Sequence, residues 1–132
     1  MVGEMALEDL NVLTEKIIGV AIEVHRELGP GLLESVYQRC LAIALRDAGF
    51  GVEEEKPVPI CFRGQQISDD GYRMDMLVND TVILELKSVA ALTDVFKKQL
   101  LTYLKLTGKP IGLLINFNEV MLKNGIKRII NF

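Results

Sequence analysis

The stretch Tyr72-Arg73-Met74-Asp75-Met76-Leu77-Val78, then Asn79-Asp80-Thr81, then Val82-Ile83-Leu84-Glu85-Leu86-Lys87, decides how this chain folds. Two largely apolar runs flank three residues of turn chemistry. They read as strands, Gly71 to Val78 and Val82 to Val89, joined in a hairpin. Strand side chains alternate between faces, so Glu85 and Lys87 share one face while Leu84 and Leu86 take the other. A two-residue turn at Asn79-Asp80 would set Asp75 opposite Leu84 and scatter charge over both faces. A three-residue loop, Asn79 to Thr81, pairs Val78 with Val82 and places Asp75 opposite Glu85. Met74, Met76, Leu84 and Leu86 then gather on the other face. Segregation of apolar residues fixes register, which selects the second arrangement. It does so although Thr81 is a poor residue for the left-handed position such loops often use.

Working outward, Leu10, Leu13, Ile17, Val20, Ala21, Val24 and Leu28 recur at helical spacing and predict a helix from Leu7 to Leu28. Gly29-Pro30-Gly31 stops it, and Leu33, Val36, Tyr37, Cys40, Leu41, Ala44 and Leu45 form the stripe of a second helix. The two should pack as a helical hairpin, the second capped around Ala48-Gly49-Phe50-Gly51. Val52 to Phe62 reads as a strand whose Pro57 and Pro59 confine it to an edge, followed by a turn at Arg63-Gly64-Gln65-Gln66. Beyond the hairpin a third helix is expected from about Thr93 to Thr107, before the breakers Gly108 and Pro110. The run Ile111 to Phe117 then has the composition of a buried strand, and Ile126 to Phe132 that of a last short one. The order implies an α/β (α+β) fold with a small mixed sheet flanked by helices. With no repeats, linkers or low-complexity tracts, residues 1–132 are expected to form a single domain.

The 132 residues are 49% hydrophobic and 25% charged, enough to bury a real core. No run approaches the roughly 18 apolar residues of a membrane span. The start, Met1-Val2-Gly3-Glu4-Met5, lacks the pattern of a secretory leader. Cys40 and Cys61 lie inside apolar patterns, and they read as buried thiols of a cytoplasmic protein rather than a disulfide or a zinc site. The net charge of −3 argues against a protein that coats nucleic acid. Its distribution is uneven, with five Lys/Arg against eleven Asp/Glu in residues 1–60 and ten against seven in residues 61–132. A basic half can hold a polyanion, although a solvated surface with chance asymmetry explains the same counts.

Two carboxylates facing each other across adjacent strands repel unless a proton or a cation lies between them. An oxygen-preferring ion such as Mg²⁺ suits one or two carboxylates with water and phosphate completing the shell. Beside it, Lys87 could orient an attacking water and stabilise charge on a phosphate. A buried salt bridge of Lys87 with Glu85 or Asp75 accounts for the same residues, and their pattern leaves both readings open.

The Asp75…Glu85-x-Lys87 arrangement resembles that of the PD-(D/E)XK nuclease superfamily. The segment Gly31-Leu32-Leu33-Glu34-Ser35-Val36-Tyr37 is similar to the signature of its GxxExxY family. The likeness runs from the first helix through Leu113 to Phe117 and on to Lys127-Arg128. It departs at Met74, where the superfamily name has Pro. The resemblance implies a restriction-endonuclease-like core and metal-dependent hydrolysis of phosphodiesters, in DNA more than in RNA. The ion, Mg²⁺ or Mn²⁺, would be held by Asp75, Glu85, Glu34 and the carbonyl of Leu86. A non-catalytic module that keeps the fold and binds nucleic acid or protein is the alternative.

Glu34 lies at the margin of its helix's apolar stripe, where burial asks for a partner. An acid in a first turn also meets the helix dipole favourably. Gln99 and Tyr103, one turn apart, resemble the Gln-x-x-x-Tyr pair of the superfamily's exonuclease branch, which organises the site. A local Gln contact beside a half-buried Tyr is an equal reading. Arg73 shares the Asp75 face and could bind phosphate or a carboxylate. Lys97, Lys98, Lys123, Lys127 and Arg128 could follow a nucleic-acid backbone, though each alone reads as solvated. His25, before Gly29-Pro30-Gly31, reads as a helix-end charge or a packed ring. So short a chain leaves little room for substrate recognition, which suggests a homodimer or a protein partner.

Overall fold

Apolar residues at every third or fourth position make helices α1 (Leu7–Leu28) and α2 (Glu34–Asp47) amphipathic, and their buried stripes pack together. Helix α1 ends at Gly29, whose φ of 72° lies in the left-handed region and whose N–H returns to the His25 carbonyl. The computed structural model describes residues 5–68 and 71–131, so Met1 to Glu4, Asp69, Asp70 and Phe132 lie outside the described residues.

After the helices come β1 (Val52–Pro57), β2 (Ile60–Phe62), β3 (Gln65–Ser68), β4 (Arg73–Val78) and β5 (Val82–Lys87). Helix α3 (Asp94–Thr107), β6 (Ile111–Asn116), a 3₁₀ turn (Leu122–Gly125) and β7 (Ile126–Ile130) complete the described elements. Five strands form one mixed sheet in the order β1-β4-β5-β6-β7. Among the described strands only β5 and β6 run parallel, and α3 is the crossover that a parallel pair requires. Interior strand β6 is buried at every position, which is why it reads as an almost unbroken apolar run. Helices α1 and α2 cover one face, against Met76, Leu84, Leu86, Leu113 and Ile115. Helix α3 covers the other, with Leu100, Tyr103 and Leu104 against Leu77, Ile83 and Leu114. A Cβ on Gly112 would stand 2.8 Å from the Leu100 side chain, so the missing side chain lets α3 lie close to β6. The architecture is the restriction-endonuclease-like α+β arrangement expected from the sequence, a mixed sheet preceded by a helical pair. No described helix is long and apolar enough to cross a membrane.

The hairpin has the three-residue loop. Val78 pairs with Val82, Leu77 with Ile83 and Met76 with Leu84. Asn79 and Asp80 take the left-handed conformation, at φ 51° and 54°, so Thr81 is spared it. Thr81 instead donates its N–H to the Val78 carbonyl and its hydroxyl to the Asn79 carbonyl.

Four details differ from the sequence reading. Val52 to Phe62 is two strands in two sheets: Pro57 closes β1 at the sheet edge, and β2 leaves to pair with β3. The turn is Arg63-Gly64 alone, both at positive φ, and Gln65 and Gln66 already belong to β3. Cys61 is exposed on this ribbon rather than buried, while Cys40 is half-buried, and both thiols are free. Met74, expected beside Met76, packs in the α3-side cluster with Val58, Leu77 and Ile83. Strand alternation is therefore broken between Met74 and Met76, at Asp75.

Candidate active site

The irregularity at Asp75 has a cause on the neighbouring edge strand. Pairs Glu54–Met76 and Lys56–Met74 leave Glu55 opposite Asp75, yet that pair is missing from the ladder. Glu55 adopts φ 53°, a costly conformation for a residue with a Cβ. Arg73 donates a hydrogen bond to the Glu55 carbonyl at 3.1 Å, fastening the kink.

On the other side of β4, the ladder with β5 stops at Met76–Leu84. Side chains take over from it. The Asp75 N–H donates to the Glu85 carboxylate at 2.8 Å, and the Leu86 N–H donates to the Asp75 carboxylate at 2.7 Å. This reciprocal clasp fixes both acids, using one oxygen of each. The N–H and C=O of a strand residue face the same side. The Leu86 carbonyl therefore also faces the gap where pairing with β4 has ended.

The clasped acids sit in a poorly solvated place. Glu85 is only 5% exposed, and burial, then the neighbouring Asp75 charge, pushes its carboxyl up to about 8. Burial pushes Asp75 up to about 6, and the charges of Glu34 and Glu55 add to that rise. Glu34, half-buried at the first position of α2, thus acts on both acids electrostatically. Among the described residues no group of three or more His, Cys, Asp and Glu side chains is placed to hold a metal ion, so Glu34 does not join Asp75 and Glu85 in a ready ligand trio. Asp75 and Glu85 still fit a divalent cation. They are a hard oxygen pair, each with a second carboxylate oxygen outside the clasp, and their mutual repulsion is relieved by positive charge.

Lys87 lies beside this pair. Among the described residues no ion pair joins it to Asp75 or Glu85, and the lysine instead faces an aromatic ring, with Nζ 4.6 Å from the centroid of Phe96. The alternative of a closed salt bridge is not what the fold builds. Tyr103, 5% exposed on α3, accepts a hydrogen bond from the Gln99 side chain at 3.3 Å. Burial raises the Tyr103 hydroxyl, and the charges of Glu85 and Asp75 add to the rise.

The segment leading to Glu34 is anchored from two directions. The Tyr37 hydroxyl donates to the Gly29 carbonyl and accepts the Leu32 N–H, while its ring stacks on Phe117 at 4.6 Å. The Ser88 hydroxyl, just beyond β5, donates to the Leu32 carbonyl at 2.8 Å. Tyr37→Phe is expected to lower stability by about 1–2 kcal/mol, since it leaves the Leu32 N–H and Gly29 carbonyl unsatisfied. A denaturant titration checks this, and an unchanged midpoint would show that the two Tyr37 hydroxyl bonds contribute nothing.

Other candidates fall outside the cluster. Lys97 pairs with Asp94 at 3.5 Å in the first turn of α3, and Lys98 is exposed beside it. Lys127 and Arg128 are exposed on β7, two strands from β5, where Arg128 donates to Asn11 of α1. Lys123 is exposed in the 3₁₀ turn. His25 is 7% exposed, its Nε2 bonded to the Glu119 carbonyl at 2.7 Å, so it is a packed ring.

Sequence reasoning did not single out Glu55, Ser88, Phe96 or Asn116 for the site. Asn116 is fully buried opposite Lys87, and its amide bonds both the N–H and the carbonyl of Val89, holding the chain as it leaves β5. A polar residue ending the apolar run Ile111 to Ile115 was its one visible signal.

A family model for the PD-(D/E)XK nuclease superfamily matches residues 11–129, from α1 to β7. The chain belongs to that superfamily. No curated protein and no solved structure gives a significant match. The span that matches the PD-(D/E)XK nucleases contains Glu34, Asp75, Glu85, Lys87, Gln99 and Tyr103, as well as the Glu55 kink.

Proposed function

We propose that this chain is a divalent-metal-dependent nuclease of the GxxExxY branch, a single domain over residues 1–132 hydrolysing phosphodiester bonds in DNA or RNA, DNA being the favoured substrate. The observation that carries the reading is the reciprocal clasp. It holds Asp75 and Glu85 face to face with a lysine alongside that neither acid neutralises. Membership of a nuclease superfamily gives this geometry its chemical direction. The GxxExxY assignment is supported by Gly31, Glu34 and Tyr37, where the tyrosine anchors the loop that delivers the glutamate.

Asp75, Glu85, Glu34 and the Leu86 carbonyl would hold the ion, Mg²⁺ or Mn²⁺. Bound there, a divalent cation supplies positive charge for the phosphate and makes water more acidic. The residues of the chain do the rest. Asp75 and Glu85 would present the carboxylate oxygen left outside the clasp, each carboxylate being steadied by its other oxygen on a backbone N–H of the opposite strand. Lys87, a donor of three N–H bonds, orients the attacking water and stabilises charge as it grows on the phosphate oxygens. Gln99 and Tyr103 present a neutral polar pair on the α3 side of the acids, suited to positioning the sugar-phosphate chain. Arg73, Lys97, Lys98, Lys127 and Arg128 serve as its wider electrostatic track.

The test is cleavage of labelled single- and double-stranded DNA and RNA by the purified protein with Mg²⁺, with Mn²⁺ and with EDTA. Metal-dependent cleavage, DNA ahead of RNA, is expected. Binding of nucleic acid without cleavage in either metal would favour the non-catalytic alternative.

A further inference from the structure

Lys87 has two kinds of partner within reach. Its own strand carries Glu85 on the same face, and Asp75 is clasped beside that acid, so a lysine free to collapse would pair with a carboxylate. It does not, and its ammonium lies against Phe96. Phe96 is the third residue of α3, half-buried, and packs on the cluster formed by Val58, Met74, Leu77, Ile83 and Leu100. The ring is therefore held by the core rather than by the lysine.

An aromatic face attracts a cation through its quadrupole but offers no strong acceptor and no neutralising charge. A lysine resting there keeps its N–H donors for other oxygens. It also leaves Asp75 and Glu85 to a metal. A carboxylate in place of the ring would satisfy the ammonium and would have to be displaced before substrate could use it.

We propose that Phe96 is a positioning residue, whose ring holds the Lys87 ammonium off the two carboxylates and ready for the phosphate. The consequence for turnover rests on the nuclease reading, whereas the contact itself can be tested without it.

The experiment follows the Lys87 side chain by NMR in the full chain without metal, in three forms. These are the natural protein, Phe96→Leu, and a protein with trifluorophenylalanine at position 96. Fluorination keeps the shape of the ring and weakens its attraction for a cation. The expected result is an upfield ring-current shift of the Lys87 ε-methylene. The shift shrinks on fluorination and vanishes in Phe96→Leu. No shift in the natural protein, or one indifferent to fluorination, overturns the proposal. In the cleavage assay Phe96→Leu is expected to lose about tenfold in kcat with KM little changed, and Phe96→Tyr to recover most of it. An unaltered kcat in folded Phe96→Leu would remove the positioning role. A natural protein that shows the ring-current behaviour and cleaves nothing would instead count against the nuclease reading alone.

Discussion

Changing Glu85 to Gln or Lys87 to Met is expected to lower metal-dependent cleavage by about a thousandfold or more, and the two substitutions together by little beyond either alone. Groups that act as one unit at the reacting centre show this non-additivity. The choice of variants follows from the clasp. Glu85→Ala would remove the acceptor of the Asp75 N–H and confuse lost chemistry with a lost strand contact. Glu85→Gln keeps a carbonyl oxygen of the same reach. The two variants should separate in a calorimetric titration with Mn²⁺. Glu85→Gln weakens binding of the ion, while Lys87→Met leaves it intact or strengthens it by removing a nearby positive charge. Cleavage at the natural rate by either purified, folded variant would place the chemistry elsewhere on the molecule.

The second large effect concerns pH. Asp75 and Glu85 are held near 6 and 8, above their ordinary values of 3.8 and 4.5. Between the ordinary and the raised values the folded chain binds more protons than the unfolded chain, so stability falls as pH rises. The contribution is whole in acid, below the ordinary values. It is lost as pH climbs through about 6 and then about 8, by an amount on the order of a few kcal/mol. Melting temperatures of the metal-free protein should therefore decline across this window. Mg²⁺ should restore them, and most strongly at the alkaline end, because the ion binds the ionised acids. Glu85→Gln carries no charge to desolvate and should flatten the decline. A melting temperature that rises with pH through the same window would mean that the two acids are not a desolvated pair.

The hairpin was legible because its two faces differ so sharply. Only one register puts Asp75 opposite Glu85 while keeping Leu84 and Leu86 with Met76, and the structure has it. The long periodic helices and the buried run Ile111 to Asn116 were legible for the same reason. What stayed hidden depends on contacts distant in sequence. A glutamate has no preference for positive φ, so nothing marks Glu55 as the kink that releases the Asp75 amide from β1. The departure of β2 into its own ribbon hinges on two prolines that an edge strand would equally tolerate. Phe96 looked like one more apolar residue on an amphipathic helix, since its meeting with Lys87 exists only once α3 crosses the sheet.

The clasp also bears on how such a site could fade. Asp75 and Glu85 are part of the hydrogen-bond count of the sheet, because each satisfies an amide where the strands part company. A descendant without the proposed catalysis would still need acceptors there, and Asp75→Asn or Glu85→Gln would serve. Among the described residues, Lys87 makes no side-chain hydrogen bond. The architecture makes no comparable claim on it, and drift could remove it with little harm to the sheet. In a lineage of such chains an oxygen acceptor at positions 75 and 85 would persist as masonry, acid or amide, and the lysine would be the first letter to disappear.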